Sequence, residues 1–112
     1  MSLSGSDLLT RHCTSCEGGD ALPDVTARKL LRYLKGWEII DGKLVKTYAF
    51  RNYYEAMAFV NALAWVSHRE DHHPELVVRY NRCEVRYDTH AVGGMTENDF
   101  ICAAKADALL KL

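Results

Sequence analysis

The sequence lacks the features that mark a membrane or secreted protein. No stretch approaches the roughly 18 uninterrupted apolar residues that a membrane span needs, and the polar residues 1–20 lack the apolar block of a secretory signal. The formal net charge is only -1, so the whole chain has no basic excess to attract nucleic acid or an anionic membrane. We therefore expect a cytoplasmic protein that binds neither nucleic acid nor a membrane.

Motifs for two common kinds of chemistry are also missing. The glycine pairs at 18–19 and 93–94 have neither the spacing nor the following lysine of a phosphate-binding loop. Neither Ser67 nor Cys83 lies in a recognisable nucleophile signature. The sequence therefore gives no support for a phosphate-binding loop or for covalent catalysis.

The cysteines do not make a complete metal or redox motif. Cys13 and Cys16 form a Cys-x-x-Cys, which is half of a typical zinc site. Cys83 and Cys102 lie far away, on a predicted strand and a predicted helix, and no βαβ pattern surrounds the Cys-x-x-Cys. In a reducing cytoplasm, we interpret the pair as structural or incidental.

The bulk composition is that of one soluble globular domain. The chain has 112 residues, of which 48% are hydrophobic and 26% are charged. Residues 1–20 show little periodicity and predict a flexible N-terminal arm. Residues 21–112 are expected to form the single domain.

The first half of the domain predicts a helix, a hairpin and a long helix. A helix capped by Asp24 should run to about residue 35 and be stopped by Gly36. Asp41-Gly42 is a strong two-residue turn signal for a hairpin over 37–50. Asn52 and Glu55 form a capping box for a helix over 53–68, which is so broadly apolar that a partner subunit could cover part of it.

The second half predicts another hairpin and a last helix. The hairpin spans 75–89 with its turn at 81–82, and Cys83, Val85 and Tyr87 share one face. Thr96 should cap the last helix, which runs to residue 112. The order α-β-β-α-β-β-α predicts an α+β fold, a four-stranded antiparallel sheet with the helices packed on one face.

Four of the five histidines fall in one short part of the chain: His68, His72, His73 and His90. Histidine titrates near neutral pH, so such a cluster suits proton transfer. A hairpin returns the chain to the edge it left, so we expect His90 to lie close to His72 and His73. Two other interpretations stay open: a structural role at a helix C-terminus, or a zinc site begun by His68 and His72, four residues apart.

Several spaced elements together resemble the signature of the pterin-4a-carbinolamine dehydratases. The matching residues are His72-His73-Pro74-Glu75, Tyr80-Asn81, Thr89-His90, Gly94-Met95-Thr96 and Asp99. Gly36-Trp37, Tyr48-Ala49-Phe50 and the cysteine arm are also similar to this family, so the resemblance covers most of the chain. Leu76, where many members carry Trp, and Ala91, where some carry Glu, depart from the pattern.

The resemblance implies a dehydratase that converts 4a-hydroxytetrahydrobiopterin to quinonoid dihydrobiopterin and water, in tetrahydrobiopterin recycling. It implies acid/base catalysis by His72, His73 and His90, with neither a metal nor a bound cofactor. The substrate-binding residues that it implies are Asp71, Asp88, Thr89, Ala91 and Asp99, although helix capping alone could explain Asp99. Family members are dimers or dimers of dimers, which implies a homodimer or homotetramer here.

A second hypothesis uses the same fold without catalysis. The chain would then be a homo-oligomeric binding protein or a dimerisation cofactor of a protein partner. The two hypotheses differ in what the three histidines must do, because an enzyme loses turnover when they become alanine and a scaffold keeps its partner affinity.

Overall fold

A computed structural model of the chain describes residues 5–15 and 19–111. The elements in chain order are α1 (Gly5–Leu8), α2 (Asp24–Leu31), β1 (Glu38–Ile40), β2 (Lys43–Ala49), α3 (Tyr53–Glu70), β3 (Glu75–Arg79), β4 (Arg82–Tyr87), a 3-10 helix (His90–Val92) and α4 (Glu97–Ala108). Apart from α1 and the 3-10 helix, this is the predicted order, and the α+β fold is confirmed. None of the described helices is long and apolar enough to cross a membrane.

Two hairpins form one antiparallel sheet with the strand order β1-β2-β4-β3. The first hairpin turns at Asp41 and Gly42, as predicted, and their positive φ angles of 50° and 75° suit the tight turns that join antiparallel strands. In the second hairpin, Glu75 lies opposite Arg86. The segment before β3 and the segment after β4 therefore lie at the same end of the sheet.

The core lies on one face of this sheet. Strand alternation puts Cys83, Val85 and Tyr87 on that face, as predicted, and all three are fully buried. Helices α3 and α4 contribute Leu63 and Phe100 to the same hydrophobic cluster. The outer face carries charged side chains that pair with one another.

Several element boundaries differ from the prediction. Pro23 rather than Asp24 stands at the N-cap of α2. This helix ends at Leu31, not near 35, because residues 33 and 34 donate to carbonyls only three residues back and so form tighter turns. α3 continues to 70 and α4 ends at 108. The second hairpin turns at 80–81, because Arg79 pairs with Arg82.

The described part of the N-terminal arm packs against the domain. Leu8 in α1 is only 1% exposed and belongs to the hydrophobic core. The Leu9 carbonyl accepts a hydrogen bond of 2.7 Å from Lys105 of α4. The flexibility of residues 1–20 and the boundary at residue 20 stay predictions, and Cys16 lies outside the described residues.

Candidate functional site

A cavity of about 560 Å³ opens where the chain leaves α3 and β4. Its volume is within the range of roughly 300–1,000 Å³ that is usual for small-molecule sites. Seven residues that the sequence singled out line it: Asp71, His72, His73, Asp88, Thr89, His90 and Ala91. The eighth, Asp99, lies behind His72. The structure therefore brings the three histidines to the walls of one cavity, while their roles stay predictions.

The end of α3 places His72 at this cavity. Asp71 adopts a left-handed conformation with φ 51°, and its N–H donates to the His68 carbonyl at 3.3 Å. The His72 N–H donates to the Ser67 carbonyl at 3.2 Å. These two bonds are the pattern that closes many helix C-termini, usually with glycine in the left-handed position. The turn at Asp71 directs the chain away from the helix axis and places His72 at the wall of the cavity.

Asp99 fixes the orientation of His72 from behind. Its carboxylate is 0% exposed, and Oδ1 lies 2.5 Å from His72 Nε2. Oδ2 accepts hydrogen bonds of 2.9 Å from Thr89 Oγ1 and from the Thr96 N–H. A buried carboxylate needs such donors because desolvation penalises its charge. His72 Nε2–H is therefore the donor to Asp99, and Nδ1 is the other ring nitrogen.

The capping box at the start of α4 supplies part of this network. Thr96 stands at the N-cap and Asp99 at the third helical position, as the sequence predicted. The same carboxylate thus caps a helix and accepts a hydrogen bond from His72. Helix capping, one explanation of Asp99 from the sequence, is therefore present together with a contact to His72, and the substrate-binding role of Asp99 stays a prediction.

An aromatic ring also holds the His72 imidazole. The Tyr87 ring stacks on it with centroids 5.9 Å apart and planes only 8° from parallel. Burial, above all, raises the pKa of the Tyr87 phenol, so Tyr87 stays protonated and neutral. The stacked ring and Asp99 together define both the plane and the rotation of the imidazole.

The loop after β4 carries His90 to the cavity. The Thr89 N–H donates to the Gly94 carbonyl at 2.7 Å, and the two residues form an isolated β-bridge that closes the loop. Gly94 lies so close to the segment before α2 that an added Cβ would be 2.8 Å from the Ala21 Cβ. His90 and His73 are both exposed, in contrast to the half-buried His72.

The structure does not support the zinc site that His68 and His72 could have begun. α3 ends at Glu70 and the chain turns at Asp71, so the two histidines do not continue one helical face. His68 is exposed and does not line the cavity. Within residues 5–15 and 19–111, no group of three or more His, Cys, Asp or Glu side chains could hold a metal ion.

Five further residues line the cavity that sequence reasoning did not single out for this site. They are Cys13, Thr14, Ser15, Glu70 and Asn98. Glu70 is nearly buried, and burial disfavours its charged form, but hydrogen bonds from the Cys13 N–H and His12 and the charge of Lys105 outweigh this and lower the pKa of Glu70. The arm that Glu70 holds lies 57 positions away from it in sequence, and no local sequence pattern predicts such a contact.

The chain is similar to one protein family over most of its length. The sequence model described as "Pterin 4 alpha carbinolamine dehydratase" matches residues 20–109. This match includes all the histidines at the cavity and Asp99. It begins after the part of the arm that lines the cavity.

Individual relatives agree with this match. A protein of Dechloromonas aromatica, provisionally named a pterin-4-alpha-carbinolamine dehydratase, is 60% identical over 95% of this chain and 96% of its own length. A protein of Nitrosomonas europaea with the same provisional name is 58% identical over 94% of this chain and 95% of its own length. A crystal structure from Brucella melitensis, titled as a transcriptional coactivator/pterin dehydratase, superposes with a TM-score of 0.77 at 32% identity and covers 80% of this chain and 98% of its own.

Proposed function

Because the chain belongs to the pterin-4a-carbinolamine dehydratase family, we propose that it removes water from a 4a-hydroxytetrahydropterin, giving a quinonoid dihydropterin. One observation carries the proposal: the cavity is lined by three histidines, one of which is held against a fully buried carboxylate. The physiological substrate would be 4a-hydroxytetrahydrobiopterin, and the role would be tetrahydrobiopterin recycling.

The reaction needs two proton transfers. The bond between C4a and its hydroxyl oxygen breaks, and hydroxide leaves poorly unless an acid protonates it as it departs. A base removes a ring-nitrogen proton, and the electron pair of the broken N–H bond forms the new double bond between that nitrogen and C4a. Each positioned transfer typically contributes about 10²–10⁴-fold, so histidines can supply this chemistry without a metal or a bound cofactor.

His72 is suited to the role of base. Its Nε2–H donates to the Asp99 carboxylate, so in the neutral ring Nδ1 carries the lone pair. After Nδ1 accepts a proton, the buried Asp99 stabilises the imidazolium, as a carboxylate partner does in other histidine-based sites. His72 would therefore accept the ring-nitrogen proton of the pterin.

His73 and His90 would act at the leaving oxygen. Both are exposed and both line the cavity, so they can exchange protons with solvent between turnovers. The polar groups that would bind the pterin ring lie along the same walls: Asp71, Asp88, Thr89 and Ala91, the last through its backbone. In this division the half-buried His72 is the base, and the exposed His73 and His90 supply the acid.

Self-association and location are further parts of the proposal. Tyr54 is 81% exposed and Trp65 is 56% exposed, both on α3, which is an unusual amount of exposed aromatic surface for one helix. Contact with a second copy would cover it. We expect a homodimer or homotetramer in the cytoplasm, which size-exclusion chromatography with light scattering and cell fractionation would test.

The decay of freshly generated 4a-hydroxytetrahydropterin, followed by ultraviolet absorbance, tests the proposed activity. Wild-type protein should accelerate the decay, and His72→Ala and His90→Ala should each lose about 10²-fold of the enzymatic rate or more. His68→Ala is the matched control, because it removes an exposed histidine that does not line the cavity. Its rate should equal that of wild type.

The same assay distinguishes the dehydratase from a non-catalytic binding protein. The Brucella structure is titled a coactivator as well as a dehydratase, so a non-catalytic binding role stays open for this chain. Folded wild-type protein that gave no acceleration over buffer would overturn the dehydratase proposal. Acceleration that survives both histidine substitutions would leave the activity but overturn the histidine mechanism.

A further inference from the structure

We propose that residues 13–15 of the N-terminal arm form a substrate-binding wall of the cavity, and that Glu70 and Asn98 are the positioning residues that hold this wall. The inference rests on the proposed function, because the ligand is taken to be a pterin. The cysteine arm resembles that of family members, but this resemblance assigns the arm no contact with a substrate, and the family model matches only residues 20–109.

The arm closes one side of the cavity. Cys13, Thr14 and Ser15 line it together with Asn98 from the first turn of α4. The other sides come from the end of α3 and from the loop after β4. A flat pterin ring that reaches the histidines would therefore be covered by the arm on the side next to α4. Without the arm, that side of the cavity would be open to solvent.

Asn98 fixes the backbone of the arm in both directions. Its side chain is an amide that can donate and accept at once, and the residue is only 6% exposed. Nδ2 donates to the Thr14 carbonyl at 2.7 Å, and Oδ1 accepts from the Thr14 N–H at 3.1 Å. The Asn98 side chain thus pairs with both backbone groups of Thr14, as a neighbouring strand would. These two hydrogen bonds set the position of Thr14 relative to α4.

Glu70 links the arm to the helix end that carries His72. Its Oε1 accepts from the Cys13 N–H at 2.7 Å, and its Oε2 lies 2.9 Å from His12 Nδ1. Glu70 is the last residue of α3, two positions before His72. The end of α3 therefore holds the arm through Glu70 and positions the proposed base, His72.

Cys13 packs the arm onto α4. Its thiol donates to the Asn98 carbonyl at 3.7 Å, and its sulfur lies 3.5 Å from the Cys102 sulfur. The hydrogen bond to Cys102 and burial raise the pKa of the Cys13 thiol, so it stays protonated. Cys13 contributes contact to the wall and no thiolate nucleophile.

The first test separates positioning from folding. Asn98→Ala removes both bonds to Thr14, and we expect KM for the pterin to rise about tenfold, the size that one or two lost hydrogen bonds give, with kcat changed less than about twofold. Asn52→Ala is the matched control, because Asn52 also bonds a backbone N–H at a helix start, that of Glu55, but at the far end of α3. It should lower the melting temperature and leave KM unchanged.

The second test leaves the hydrogen bonds of Glu70 and Asn98 to the arm in place. Ser15→Trp puts a large ring at an exposed position of the wall, so folding should be intact and KM should rise about tenfold or more as the cavity narrows. Thr10→Trp places the same ring at an exposed arm position that does not line the cavity. That control should keep the wild-type KM.

Equilibrium binding of a stable 7,8-dihydropterin distinguishes a failure of the proposed wall from a failure of the proposed dehydratase function. If wild type turns over and binds, and Ser15→Trp and folded Asn98→Ala both weaken binding, the wall is supported. If wild type turns over but Ser15→Trp leaves KM and the dissociation constant unchanged, the wall is overturned and the dehydratase proposal stands. If wild type neither turns over nor binds the dihydropterin, the proposed function fails, and the wall fails with it.

Discussion

Two carboxylates of helix α4, Asp99 and Asp107, lie about two turns apart, and each accepts hydrogen bonds from side chains of other elements. Asp99 near the start of the helix is 0% exposed and accepts from His72, Thr89 and Thr96. Asp107 near the end has a side chain only 15% exposed. Its donors come from the sheet side of the core: Trp37, Lys46 and Tyr48.

The donors decide what each carboxylate can do. Lys46 lies 2.9 Å from Asp107 and is also 4.8 Å above the Tyr48 ring. Burial and the hydrogen bond to Asp107 raise the pKa of Tyr48. The tyrosine therefore keeps its proton, and an indole N–H is a donor only. The Asp107 cluster can stabilise the fold, and it contains no imidazole, the side chain whose ordinary titration lies nearest neutral pH.

The Asp99 cluster differs in one donor. Imidazole gains and loses a proton near neutral pH, and His72 also lines a cavity that a ligand can enter. Asp107 also lines a cavity, of about 370 Å³, together with Lys46 and Tyr48. The difference between the two carboxylates therefore lies in the partner: Asp99 holds an imidazole, whereas the donors to Asp107 are an indole, an ammonium and a phenol.

The largest effect should separate the two carboxylates by activity. Asn at position 99 would offer its amide to His72 and favour the wrong imidazole tautomer, so Asp99→Asn should lower kcat on the order of 10²-fold or more. Asp107→Asn should keep kcat within about twofold. The pterin decay assay on both folded variants measures this, and equal losses in both would erase the proposed difference.

A smaller effect should separate them by stability. Asp107→Asn removes the charge that partners Lys46, and hydrogen bonds to charged groups contribute about 1.5–3 kcal/mol. We expect its free energy of unfolding in urea to fall by about 1–3 kcal/mol. In a double-mutant cycle with Lys46→Met the losses should be non-additive. Strictly additive losses would show that the two side chains do not interact.

The smallest effect concerns the third carboxylate, Glu70, which holds the arm instead of the sheet. Its pKa is lowered from the ordinary 4.5 in the folded state, so its ionised form stabilises the fold above that pH, and the contribution is lost as the pH falls through the folded pKa. We expect at most about 1 kcal/mol, the order usual for partly exposed ion pairs.

Glu70→Gln is the variant that isolates this contribution. Its free energy of unfolding should decline less between pH 6 and pH 3 than that of wild type, because the amide cannot titrate. Urea unfolding of both proteins at several pH values measures the difference. Parallel pH curves for the two proteins would contradict the proposed contribution of Glu70.

Local chemistry explains which features the sequence predicted. The Asp41-Gly42 turn, the alternation through Cys83 to Tyr87 and the capping box of Asp99 each depend on residues within a few positions of one another. The approach of His90 to His72 followed from one hairpin. These features need only short-range geometry, and all are present.

Long-range contacts explain what the sequence did not predict. Glu70 and Asn98 hold residues of the arm that are 57 and 84 positions away, and neither position stands out by periodicity or by motif. Helix ends were misplaced by a few residues because α2 and α4 finish in tighter turns. A change from bonds four residues back to bonds three residues back costs little free energy, so weak local preferences do not fix where a helix ends.

The left-handed turn at Asp71 has a consequence for efforts to stabilise this protein. An L-residue in that conformation costs about 1–2 kcal/mol, less for aspartate than for most, while glycine adopts it freely and loses only about 0.5–1 kcal/mol of chain entropy. A screen for heat resistance alone would therefore favour glycine at this position and remove a carboxylate from the cavity. The backbone conformation and the proposed contact of Asp71 with the pterin therefore favour different residues at this position.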